Sequence, residues 1–173
     1  MRQKLLTIAA SIALMCMLAG PVCFGQKRGP STPEERAQAV RIARALETDP
    51  LNEKAKDERR SIFMWLADVP DISVTICTDF LKPLFDKDKN YSTEISTQMM
   101  FSSAAFIIEH PDQANDRKAV SQAGLEGSLK TYESILKTRP NAKWPFLDGL
   151  IQKREKGELG AYVSDILAKG KCK

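Results

Sequence analysis

The side chains with the most distinctive chemistry in this 173-residue chain are one histidine, His110, and four cysteines, Cys16, Cys23, Cys77 and Cys172. His110 stands between Glu109 and Pro111, so histidine-based proton transfer would run through a turn residue supported by Asp112 or Asp116. Its simpler role is to sit at a helix C-terminus, where a side chain that can carry positive charge meets the free carbonyl ends. The sequence contains no Gly-x-Ser-x-Gly elbow, phosphate-binding loop, paired zinc ligands or calcium loop. Asp86-Lys87-Asp88-Lys89-Asn90 alternates acidic residues but has lysines in the gaps and no loop glycine, which makes it a solvated connector. No catalytic residue, cofactor or metal is therefore assigned, and the expectation is a non-enzymatic protein.

The cysteines take their meaning from the N-terminus. Arg2 and Lys4 precede an uncharged run from Leu5 to Gly20, and Pro21 then leads to Cys23-Phe24-Gly25 with small residues where a signal peptidase reads. Residues 1–25 are read as a signal peptide cleaved after Gly25. The apolar run is shorter than the roughly 20 residues a spanning helix needs, and no second long run follows, so no stable membrane insertion is expected after cleavage. Neither Cys16 nor Cys23 fits a lipid-attachment pattern. Cleavage leaves Cys77 and Cys172, whose one pairing in an oxidising compartment would be a disulfide. The alternative is a buried Cys77 and a frayed Cys172. The protein is expected to be periplasmic or secreted.

The mature chain of about 148 residues is long enough for one domain with a real core. It carries 24 Lys and Arg against 22 Asp and Glu. Those charges alternate in sign along the sequence, which gives no concentrated patch to track phosphates, so nucleic acid is excluded as a partner.

The elements that must position these residues are helices. Gln26 to Thr32, rich in Gly, Pro and Ser, is expected to be a mobile tail, with residues 33–173 forming the helical domain. Thr32-Pro33-Glu34-Glu35 is a capping box, and Asp49-Pro50 stops the helix it starts. A second helix is predicted from Asn52 to Ala67, with Ala55, Ile62, Phe63 and Leu66 on one face. Ile72, Val74 and Ile76 alternate as a strand would, but a lone strand lacks a partner, so Ile72 to Phe85 is read as helix, ending or kinking at Pro83. Ser92 to Glu109 is apolar around most of its circumference and belongs at the centre. A helix from Asp116 to Lys137 carries Leu125, Leu129, Tyr132 and Leu136, with Gly124 and Gly127 marking a kink or a close contact. Two shorter helices follow, one to Glu155 and one holding Leu159, Tyr162, Val163, Ile166 and Leu167. The fold class is all-α: six to seven helices in a single compact array or bundle, with solenoid-like stacking left open.

Two clusters are candidate contact sites. Trp144-Pro145-Phe146 could present Trp144 and Phe146 as an aromatic ledge for a partner, against the plainer reading of a core edge. Met99, Met100 and Phe106 could line an adaptable apolar site, against plain core filling.

Three helix ends are alike: Ala45-Leu46-Glu47-Thr48-Asp49-Pro50, Ile107-Ile108-Glu109-His110-Pro111 and Ile135-Leu136-Lys137-Thr138-Arg139-Pro140. Together with Tyr132 they resemble the closing segment of tetratricopeptide repeats, over about a third of the mature chain. The resemblance implies helical hairpins with a concave surface for a protein or peptide, and no catalytic residues. The expected function is thus an exported helical protein that binds another protein or peptide. The alternative is a helical carrier or sensor enclosing a small apolar ligand. N-terminal sequencing of the exported protein should begin at Gln26; an intact Met1 to Gly25 segment retained in lipid would contradict the leader reading.

Overall fold

The computed structural model describes residues 28–85, 89–169 and 172, so the expected signal peptide and most of the Asp86 to Asn90 connector lie outside the described residues. Seven α-helices pack together, and no strand occurs among the described residues. They are α1 (Pro33–Thr48), α2 (Ala55–Asp68), α3 (Lys82–Phe85), α4 (Ser92–Glu109), α5 (Arg117–Thr138), α6 (Pro145–Glu155) and α7 (Leu159–Ala168). No helix of the described residues is long and apolar enough to cross a membrane.

Local chemistry accounts for most boundaries. Thr32 accepts the Glu35 amide at 3.2 Å while the Glu35 carboxylate accepts the Thr32 amide at 2.9 Å, so the capping box forms in full. Asp116 caps α5 by accepting from the amides of Lys118 and Ala119. α2 begins at Ala55 rather than Asn52, because the Asn52 side chain accepts the Lys54 amide at 2.8 Å and holds a turn ahead of the helix. Gly157, at φ 74, makes the left-handed turn between α6 and α7. The three similar helix ends share one geometry. Asp49, His110 and Arg139 have φ, ψ of −140, 70, then −130, 68, then −134, 68, and each amide bonds the carbonyl four residues back. Each precedes a proline, whose ring bars the preceding residue from helical ψ.

α4 is the central element. It contributes Ile95 and Met99 to a core with Leu125, Leu129, Tyr132, Leu147 and Val163, Phe101 and Ala105 to a second with α1 and α2, and Ala104 and Ile107 to a third with Val69, Ile72 and Val120. Its small-residue segment meets α5 at the two glycines. A Cβ on Gly127 would overlap the Ser102 hydroxyl, and one on Gly124 would overlap Ser103 and lie 2.7 Å from the Met99 carbonyl. Of the two readings for these glycines, close contact is the one observed.

Beneath this crossing lies Glu47, only 4% exposed. It accepts from Arg44 at 2.6 Å and from the Ser102 hydroxyl at 2.8 Å, with Lys130 at 3.4 Å. Gln98 donates to Ser102 and to the Ala43 carbonyl, both at 2.9 Å. Its cationic partners Arg44 and Lys130 keep 35% and 52% of their side chains exposed, so water shares in balancing the buried carboxylate. Tyr132 closes the other end of α5: its hydroxyl donates to Asp148 at 2.7 Å and accepts the Trp144 amide at 2.9 Å. Burial and the Asp148 carboxylate together push this phenol up to about 12, the Trp144 amide opposing them.

Three expectations are corrected. Ile72 to Cys77 is extended, followed by a 3₁₀ turn (Thr78–Leu81) and α3, with Pro83 inside the first turn of α3 rather than ending a helix. The β-branched run Ile72, Val74, Thr75 and Ile76 disfavours helix, and side-chain packing holds the extended chain without a strand partner. Phe63 lies off the buried stripe and is 51% exposed, because it is one residue, about 100° of helix, beyond Ile62. Arg28 to Thr32, expected in the mobile tail, packs against the domain, with Ser31 buried.

Replacing Gly127 by Ala should lower stability by about 1–3 kcal/mol, as forced overpacking does. Urea unfolding measures it, and an unchanged midpoint would contradict the close crossing.

Candidate protein-binding surface

The extended segment is set in place from both ends. At its start, Asp71 follows Pro70 and takes the Ser31 amide and hydroxyl, both at 2.8 Å, and the Arg36 guanidinium at 2.7 Å. Arg28 bonds Asp68 at 2.9 Å and pairs with Glu35. The Ser31 amide above all, with the Ser31 hydroxyl and Arg36, holds the Asp71 carboxyl down to about 2. Asp68 and Asp71 thus both clamp the chain ahead of α1. At the other end, Cys77 and Cys172 stand at disulfide distance with Cα atoms 5.0 Å apart, and Arg117 donates to the Cys172 carbonyl at 2.7 Å.

Between these anchors the two-residue period of extended chain sorts side chains into two clefts. Ile72 and Val74 line an apolar groove of about 170 Å³ with Phe63, Leu66, Ala67 and Met100. Ser73, Thr75 and Cys77 line a more polar cleft of about 220 Å³ that also holds Asn115, Arg117 and Ser121. Among the described residues, no backbone amide or carbonyl from Ile72 to Ile76 has a hydrogen-bond partner. Such a row of free donors and acceptors is a template for pairing with another extended chain.

The sequence-derived candidates fall in different places. Trp144 is 6% exposed and its indole donates to the Asn90 carbonyl at 3.1 Å, so it forms a core edge and no ledge. Phe146 is half-buried against the same core. Met99 is a core residue at 2% exposure. Met100 reaches the apolar groove, whereas Phe106 lines a separate cleft with Arg44 and Lys130. These three side chains therefore do not enclose one space. His110 is exposed, with its ring 4.6 Å from that of Phe106, and Asp116 is engaged as a helix cap. Among the described residues, no group of three potential metal ligands converges.

Sequence reasoning missed the free backbone edge, the Ser31–Asp71 clamp and the buried Glu47. The alternation of Ile72, Val74 and Ile76 was the available signal for the first. No protein-family model, curated protein or solved structure matches the chain.

Asp71 binds protons less readily in the folded state, so between its ordinary value of 3.8 and about 2 the unfolded chain holds more protons and stability rises with pH. The Asp71 contribution is present above about pH 4 and is lost as pH falls toward 2. Asp71→Asn should flatten this part of the acid profile in urea titrations from pH 2.5 to 6; coincident profiles would contradict the clamp.

Proposed function

We propose that this is an exported, non-enzymatic helical protein that binds another protein by taking an extended segment of it alongside Ile72 to Ile76. The observation that supports this most is the unpaired backbone of those residues beside a partly filled apolar groove. A partner strand would gain main-chain hydrogen bonds along the edge, and its alternate apolar side chains would cover Phe63, Leu66 and Met100. Phe63 is half exposed, and Met64 beside it is 59% exposed, which extends the apolar area on α2. The rigid helices behind the segment keep its extended form before binding, which lowers the ordering cost of association. The resemblance of three helix ends to tetratricopeptide hairpins supports the same class of function. The leader and the Cys77–Cys172 pair support a periplasmic or secreted setting for it.

A displayed library of 12-residue peptides tests the proposal. Selection on the protein should enrich sequences with apolar residues at alternate positions, and Val74→Pro, which removes an edge amide, should weaken the enriched peptides at least tenfold. Helical circular dichroism should be unchanged in that variant. Absence of enrichment, or peptides that bind Val74→Pro equally well, would overturn the proposal.

A further inference from the structure

A further cleft, of about 420 Å³, opens where the loop before α4 meets the turn after α5, lined by Asn90, Tyr91, Thr138, Arg139 and Asn141. It is a shallow depression open to solvent, with Thr138, Arg139 and Asn141 exposed. One wall is backbone in a rarely occupied conformation: Asn90 at φ 48 and Tyr91 at φ 61 are consecutive left-handed residues, and neither is glycine. Such conformations persist only where surrounding contacts impose them, and here three hydrogen bonds do so. The Trp144 indole donates to the Asn90 carbonyl at 3.1 Å, the Asn90 side-chain Nδ2 donates to the Lys143 carbonyl at 3.1 Å, and Arg139 Nε donates to the Tyr91 hydroxyl at 3.2 Å.

Arg139 is the chemically informative member. Arg139 is exposed; its Nε and Nη1 donate to the Tyr91 hydroxyl and the Thr138 carbonyl, while Nη2 has no partner among the described residues. No carboxylate among the described residues pairs with it, a property it shares with Arg41, Arg60 and Arg117 and not with Arg28, Arg36, Arg44, Arg59 and Arg154. Lys137 and Lys143 flank it in sequence, and Lys89 lies 5.5 Å over the Trp144 ring. An unneutralised guanidinium oriented by two hydrogen bonds beside hydroxyl and amide groups is suited to a planar or tetrahedral oxyanion.

We infer that this cleft is a binding site for a phosphate-bearing molecule, with Arg139 as its anchoring cation and Tyr91 and Asn141 as polar contacts. The site is independent of the extended-segment surface and stands or falls apart from it. Phosphate of this kind is carried both by free small molecules and by lipid headgroups, so two probes are needed. Inorganic phosphate is titrated at constant ionic strength against chloride while amide NMR shifts are followed. The expected result is saturable shifts confined to residues 89–91 and 138–143, lost in Arg139→Gln with the remaining spectrum unchanged. In sedimentation with phosphatidylglycerol vesicles, binding that free phosphate displaces and Arg139→Gln abolishes would assign the phosphate to lipid; saturation by free phosphate without vesicle binding would assign it to a soluble ligand. Shifts that never saturate, that chloride reproduces, or that survive in Arg139→Gln would overturn the site. Vesicle binding without a response to free phosphate would overturn it as well.

Discussion

Helices α4 and α5 approach so closely that Gly124 and Gly127 have no room for a methyl group, and the hydroxyls of Ser102 and Ser103 fill the space where side chains would otherwise stand. Small residues at a crossing allow this approach, and it fixes how every other helix is arranged, because α4 supplies residues to all three apolar clusters. The same proximity places the Ser102 hydroxyl within 2.8 Å of Glu47 and so completes the polar network beneath α1. A bulkier residue at position 127 would separate the helices and break that network together.

The framework explains how an extended segment survives in an all-helical protein. A lone strand lacks ladder hydrogen bonds and is marginal by itself. Here Ile72 packs with Ala104, Ile107 and Val120, the Ser31–Asp71 clamp holds one end, and the Cys77–Cys172 pair holds the other. The chain is kept extended by side chains and anchors, which leaves its backbone groups free. Fixed shape with unused hydrogen-bonding capacity is what strand addition needs from a receptor.

Much of the fold was legible from residue patterns because the helices follow local rules. The Thr32 capping box, the proline stops after Asp49, His110 and Arg139, and the apolar character of Ser92–Glu109 each depend on residues a few positions apart. The close contact at Gly124 and Gly127 was visible as one of two readings. What escaped depends on distant partners: Asp71 bonds a serine 40 positions earlier, and Glu47 bonds Ser102 across 55. Of Ile72 to Phe85, the part from Thr78 on is helical as its pattern implies, while Ile72 to Cys77 is not, because packing and anchors replace the strand partner it lacks. For Trp144, the indole bond to Asn90 and its burial select the core-edge reading over the aromatic ledge.

Residue-resolved amide hydrogen exchange on the disulfide-intact protein reads out whether the backbone from Ser73 to Ile76 is free. Exchange should be rapid from Ser73 to Ile76 and slow in helices α4 and α5. Protection of the Ser73 to Ile76 amides at the level of α4 would mean that the segment is already paired or helical, and would contradict a free backbone there.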